Sequence, residues 1–336
     1  MRARDEVCVG VDLSGGNVRA AVVDAAGHVL GQERHRLLSK EPPQVAEAVV
    51  RAAKTACGAA GLPFGEMRAL GVGVAGQVDK GSGLVASAPG LGWKDVPLQK
   101  LVQARAPKLP MTLACDLAAA AWAERVAGAG KGADDLLVVL VGSTVGAGLV
   151  VSGRLHQGAS GAAGDLAHVK VHPNGRLCAC GQRGCLDAYA SAPSLAAWAR
   201  DDLRIAAAAA RASGKQPGIG RRLLDHAGGD PERITAAAME RAAHEGDELS
   251  SRLLDEAARL LGQAVANLVI ALNPERLLLG GGLLSGSPRM RRAVTEAIEQ
   301  NLSKAARAAL HIGAPALEED AAVIGAALIA REALSL

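Results

Sequence analysis

Apolar residues along this chain come either in short unbroken runs or at helical spacing, and their order predicts a mixed α/β protein. Residues 7–12 form an apolar run ending in Asp12, Ser14 to Gly16 form a glycine turn, and residues 18–23 form a second run. That is strand, tight turn, strand. A third strand is expected over 29–36, a helix over 44–60, strands over 70–75 and 111–115, and helices over 97–104 and 117–127. This order predicts one half of a mixed sheet with covering helices. Residues 136–141 then read as a strand, Gly142 to Gly148 as a glycine-rich turn, and 149–151 as the start of the next strand. The opening pattern recurs, so an internal duplication is expected. Helices over about 192–210 and on to 271, a Gly/Pro-bearing link over 213–220, a strand over 276–279 ending in Gly280, Gly281 and Gly282, helices over about 288–302 and 319–330, and a strand near Leu310 complete the chain.

Two such halves would set two amide-rich turns facing one another across an interdomain cleft, where backbone N–H groups can cradle phosphate oxygens. Either turn taken alone reads first as a hairpin connection. The pair together, with Asp12 beside the first, favours a nucleotide.

Composition narrows the choices. With 336 residues, 49% hydrophobic and 21% charged, the chain can bury two cores. Aromatic residues make up only 1% and the formal net charge is +3, which leaves little to stack on bases and no basic surface beyond the helix turn of Arg289, Arg291 and Arg292. No nucleic-acid partner is expected. No apolar run approaches the roughly 20 residues that span a bilayer, and the first residues lack the long apolar segment of a signal peptide. The expected compartment is the cytoplasm, with no membrane partner. Six cysteines then read as thiols or metal ligands.

A literal G-x-G-x-x-G occurs at Gly71, Gly73 and Gly76, but residues 77–83 after it read as a turn, whereas a dinucleotide fingerprint must lead into a helix. No G-x-x-x-x-G-K-[ST] sequence is present, so a P-loop is excluded. The most specific signal is His168, Cys178, Cys180 and Cys185, four soft or borderline ligands in one short stretch with Gly175, Gly181 and Gly184 between them. This is the spacing of a structural zinc site. Trp93, Trp122 and Trp198 read as packing residues.

Residues 178–187, CACGQRGCLD, resemble the C-x-C-G-x-x-G-C-x-E signature of the ROK (repressor, open reading frame, kinase) family, and the similarity extends over essentially the whole chain, nearest to its glucokinase branch. Residues 11–20, VDLSGGNVRA, resemble that family's first phosphate turn; 88–93 resemble a sugar-side loop; 158–168 resemble the E-x-G-H sugar segment; 272–282 resemble the segment near the adenosine. The resemblance implies an actin-like ATPase (ribonuclease H-like) fold of duplicated α/β domains, one over 1–115 plus 320–336 and a larger one over 116–319 carrying the zinc loop. It implies ATP with Mg²⁺, zinc, a small-molecule sugar and a homodimer.

By the same resemblance Asp116 is the general base that takes the proton of a sugar hydroxyl as it attacks the γ-phosphate. The plainer alternative is a helix N-cap before an alanine-rich helix. Asp12, Gly15, Gly16 and Asn17, then Gly142, Ser143 and Thr144, and finally Gly280 to Gly282 are expected around the nucleotide. Gly90, Cys115, Asp116, Asp165, His168 and Asp187 are expected around the sugar, with His168 able to use its second ring nitrogen there while the first binds zinc.

Several positions depart from the family pattern. Gly16 replaces a usual Thr, Gly90 and Cys115 each replace an Asn, and Asp165 and Asp187 each replace a Glu, losing one methylene or about 1.5 Å of reach. Weaker or differently directed sugar recognition is therefore expected. The alternatives to a glucokinase-like enzyme are a kinase for an amino sugar or N-acyl hexosamine, and a non-catalytic sugar sensor. The family's repressors carry a helix-turn-helix ahead of the first strand, where this chain has about six residues, so repression is not expected.

Overall fold

The structure, a computed structural model, describes residues 7–14, 16–79, 81–213 and 219–334. Gly15 of the first turn and residues 214–218 of the expected link lie outside the described residues.

The first sheet has five strands in the order β3-β2-β1-β4-β8. These are β1 (Cys8–Ser14), β2 (Asn17–Val23), β3 (Val29–Arg36), β4 (Leu70–Val74) and β8 (Met111–Cys115). Strands β1, β2 and β3 are antiparallel neighbours, while β4 and β8 join β1 in parallel. β1 is buried along almost its whole length because both its faces are covered. Val9, Val11 and Leu13 share a core with Val45, Ala46, Val49 and Ala53 of α1 (Pro42–Ala59). On the opposite face, Gly10 and Gly71 let α12 (Ala321–Glu332) lie against bare backbone; a Cβ on Gly10 would sit 1.9 Å from the Val323 carbonyl oxygen, and one on Gly71 1.8 Å from that of Ala326. Gly71 is thus a packing glycine, which accounts for the G-x-G-x-x-G string without a dinucleotide.

Between β4 and β8 the chain makes a small antiparallel sheet of β5 (Gln77–Asp79), β6 (Leu84–Ala88) and β7 (Trp93–Val96), followed by α2 (Leu98–Gln103). Residues 77–83, expected as a turn alone, open with a strand. Its three residues are too few to show alternation. Trp93 is 6% exposed and donates its indole N–H to the Lys40 carbonyl at 2.6 Å, and Trp122 is 8% exposed, so both pack as expected. α3 (Asp116–Val126) follows β8 directly.

The second sheet runs β11-β10-β9-β12-β13. Its strands are β9 (Leu136–Val141), β10 (Val145–Val151), β11 (Arg154–His156), β12 (Arg276–Gly280) and β13 (His311–Gly313). Setting the small sheet aside, each five-stranded sheet places its strands in the order third, second, first, fourth, fifth, which is the duplication expected from the repeated opening. β10 begins at Val145, four residues earlier than its apolar run indicated, so the glycine-rich turn shrinks to Gly142–Thr144 and Gly146 and Gly148 lie in a strand.

The remaining helices are α4 (Asp187–Ala190), α5 (Ala192–Ser213), α6 (Arg221–His226), α7 (Ala236–His244), α8 (Glu248–Leu272), α9 (Gly282–Gly286), α10 (Pro288–Asn301) and α11 (Lys304–Ala309). Thr235, Asp247, Ser287 and Ser303 cap α7, α8, α10 and α11 through side-chain oxygens that accept a backbone N–H. The chain divides into two compact units, one of residues 1–138, 147–164 and 313–336 and one of 139–146 and 165–312. No helix among the described residues is long and apolar enough to cross a membrane.

Candidate active site and metal centre

In the first unit the sheet register aligns Asp12 of β1 with Gly73 of β4 and Ala114 of β8, two residues before Asp116. Asp12 is 3% exposed; Ser14 Oγ donates to its Oδ2 at 2.6 Å, and its Oδ1 has no hydrogen-bond partner among the described residues. Burial raises its pKa, against the opposing effects of the Ser14 hydrogen bond and the charge of Arg19 across the strand pair. Asp116 is partly buried as the first residue of α3, after Cys115 at the N-cap. Its Oδ1 accepts from the Leu117 N–H at 2.9 Å and lies 3.5 Å from the Cys115 thiol. Burial, then the neighbouring negative charge of Asp12, pushes its carboxyl up to about 7. Two acids held together in little solvent resist being ionised together. The same surroundings push the Cys115 thiol up to about 12, so it stays protonated.

Gly16 completes the first turn at φ +76° and Asn17 pairs with Ser14 across it. Gly90 lies exposed in a short 3-10 turn, where a side chain would meet nothing within 4 Å.

One carboxylate of this unit escaped the sequence reading. Glu124 of α3 is fully buried; its Oε2 accepts from the N–H groups of Ala129 at 2.8 Å and Ala316 at 3.1 Å, and its Oε1 from that of Leu317 at 2.8 Å. It ties the helix that begins at Asp116 to the segment leading into α12. The signal available was a lone acid among alanines and a tryptophan on a helix too apolar to have a solvent face.

In the second unit Gly142, Ser143 and Thr144 form the tip between β9 and β10, with the Gly142 N–H donating to the Thr144 carbonyl at 2.9 Å. Gly280 ends β12, and Gly281, at φ +89°, passes so close to Val141 that a Cβ would lie 2.5 Å from its backbone N and O. The two expected nucleotide segments of this unit are therefore neighbours. Asp187 Oδ1 accepts from the Thr144 hydroxyl at 2.8 Å and from the Val145 N–H at 3.0 Å. Asp165 is half-buried at the start of the 3-10 turn that ends in His168.

His168, Cys178, Cys180 and Cys185 converge, their ligand atoms all within 4.8 Å of one another. Cys180 Sγ and Cys185 Sγ are 3.7 Å apart, and Cys178 Sγ is 3.9 Å from His168 Nδ1. Thiolates at about 2.3 Å from a tetrahedral zinc stand about 3.7–3.8 Å from one another, so the Cys180–Cys185 spacing matches one edge of such a tetrahedron and is too long for a disulfide. Lys170 donates to Cys185 Sγ at 3.0 Å. The loop is pinned where the Tyr189 hydroxyl accepts from the Arg176 N–H at 2.7 Å, with the Tyr189 ring edge-on to Trp198 and the Arg176 guanidinium over that indole.

A duplicated five-stranded sheet, a buried acid on the first strand of the first copy and a Cys₃His loop in the second define the class. The sequence model of the ROK family matches residues 8–333, and the chain belongs to that family. It is 31% identical to a glucokinase of Streptomyces coelicolor, over 96% of this chain and 97% of that one. Among solved structures it is similar to a ROK family glucokinase from Streptomyces griseus in complex with glucose and AMPPNP, with a TM-score of 0.76 and 30% identity over 97% of this chain and 99% of that one. It is also similar to the ROK hexokinase of Thermus thermophilus, with a TM-score of 0.78 and 29% identity over 98% of this chain and 99% of that one. The fold is the actin-like ATPase fold of these kinases.

Proposed function

We propose that the protein is an ATP-dependent sugar kinase that phosphorylates a hexose, glucose first among them, with Asp116 as general base. The observation that carries this is the Asp12–Asp116 pair. A carboxyl pushed up to about 7 is half ionised at neutral pH, the condition in which an acid both accepts a proton and releases it again. Asp116 Oδ1 is engaged by Leu117 and Cys115, which leaves Oδ2 as the accepting atom. It takes the proton of the sugar hydroxyl as that oxygen bonds to the γ-phosphorus and the bond to the β-phosphate oxygen breaks, leaving sugar phosphate and ADP.

Asp12, with a buried oxygen that no described residue satisfies, suits the Mg²⁺ of the nucleotide. That ion supplies charge neutralisation on the phosphates when bound. The turns at Asn17 and at Gly142 to Thr144 serve the phosphates, and Gly280 to Gly282 the adenosine side. His168, Cys178, Cys180 and Cys185 hold zinc, which closes the loop leading to Asp187.

A coupled assay of ADP release over a panel of hexoses and N-acyl hexosamines tests this. Glucose-dependent ADP release is expected, and its loss in Asp116→Asn. An N-acyl hexosamine turning over faster than glucose would move the assignment to that sugar; no turnover of any of them would overturn it.

A further inference from the structure

The segment 185–192 in the second unit joins two groups of residues that the kinase reading treats separately. It begins at Cys185, a member of the His/Cys quartet. Two residues on, Asp187 Oδ1 receives the Thr144 hydroxyl and the Val145 N–H. At the far end the Ala192 N–H donates to the Gly142 carbonyl at 2.8 Å. The turn 142–145 is therefore held at its first, third and fourth residues by one short stretch of chain. That stretch is itself braced: Ser191, fully buried, donates its hydroxyl to the Asp187 carbonyl at 2.9 Å and lies 2.9 Å from the Ser194 hydroxyl. A carboxylate accepting two bonds at one oxygen holds them more firmly than a neutral acceptor does.

We infer that Asp187 is a positioning residue for the turn at Gly142 to Thr144, and that through it the Cys/His loop sets the shape of the nucleotide side of the site. The inference rests on the kinase reading in naming a nucleotide as what the turn receives; the clamp itself does not. The family resemblance places this acid on the sugar. The side chain here is an Asp whose Oδ1 is committed to Thr144 and Val145, so replacing it should register on the nucleotide first. An Asn can accept both bonds through its own Oδ1, an Ala neither, and the two substitutions separate the clamp from the charge.

The test uses the full chain with its zinc, and the variants Asp187→Ala, Asp187→Asn and Thr144→Val. AMPPNP with Mg²⁺ and glucose are titrated separately by calorimetry, and amide hydrogen exchange is followed over residues 142–148. In Asp187→Ala the nucleotide Kd should rise about tenfold while the glucose Kd stays within about twofold. Exchange over 142–148 should accelerate, and Asp187→Asn should restore most of both. Thr144→Val should act in the same direction, and combining it with Asp187→Ala should add little. A rise in glucose Kd with nucleotide Kd and exchange unchanged would overturn the inference. Should the unaltered protein bind neither ligand, the kinase reading fails, and exchange alone decides the clamp: unchanged rates in Asp187→Ala reject it. If Asp187→Ala does not fold, exchange over 142–148 in Thr144→Val decides, wild-type rates rejecting the clamp and faster rates supporting it.

Discussion

Where β1 carries Asp12, and Asp116 opens α3 directly after β8, the strand β9 that opens the second copy is made only of leucine and valine. The first turn has a buried acid at its base, and its strand is covered on both faces by helices. The second turn has no acid of its own and is held from outside by Asp187. The two copies share a strand order and differ in chemistry. Duplication supplied the shape twice without repeating the buried charge: an acid on β9 would have added a desolvation cost with nothing to offset it.

The largest effect expected from breaking this division is that of Asp116→Asn. The amide keeps an oxygen for the Leu117 N–H but cannot take a proton, so kcat should fall by ~10²–10⁴ with the fold intact. Circular dichroism checks the fold and steady-state kinetics the rate; a loss below about tenfold would favour the helix-end role. A pH series sharpens it. Because the folded carboxyl sits at about 7, above its ordinary value of 3.8, the folded state holds this proton more tightly than the unfolded chain does. Its contribution to stability is full below about 4 and is lost as pH rises towards 7. The melting temperature of Asp116→Asn relative to wild type should therefore rise between pH 5 and pH 8.

Next in size is removal of the metal. Purified protein should contain one zinc per chain, and Cys180→Ser or chelation should lower the melting temperature by roughly 5–15 °C. It should also weaken nucleotide binding more than sugar binding, since the clamp on the second turn begins at Cys185. Protein without zinc, or a Cys180→Ser variant of unchanged stability, would sever the metal loop from the comparison.

The smallest effect concerns the sugar side of the first copy. Gly90→Asn meets open space, and Cys115→Asn places an amide at an N-cap that accepts one readily. Together they should lower the glucose KM about tenfold by restoring two hydrogen bonds of about 0.5–1.5 kcal/mol each. An unmodified enzyme with low-micromolar glucose KM would show that the pocket already satisfies the sugar.

The elements with strong local patterns were legible in the chain. β1, β2 and β8 are largely apolar runs followed by a glycine or an acid, and the repeated opening gave the duplication. The convergence of His168, Cys178, Cys180 and Cys185 was legible because a loop of such spacing can bring them together by itself. Three things were not. β5 to β7 are strands of three to five residues, joined by glycine-bearing turns and carrying Asp79, Ser87, Lys94 and Asp95, which read as turn residues. The Asp12–Asp116 pair depends on parallel neighbours that residue spacing does not disclose. Two of the three partners of Glu124 lie almost two hundred positions away, and those of Asp187 more than forty. Hydrogen bonds to backbone N–H groups leave no side-chain pattern at the receiving end.

The backbone seat that Gly10 and Gly71 offer to α12 bears on how the chain is made. Protein emerges from the ribosome from its first residue onward, at ~5–20 residues per second. β1 and β4 are therefore complete long before residues 321–332 exist, and for that interval the face meant for α12 is bare. A Cβ on Gly325 would lie 1.7 Å from the Ala119 carbonyl oxygen, so the late helix must also slot against α3 with no slack. Covering of that face therefore waits on residues 321–332, and until they are made β1 and β4 stand exposed on that side.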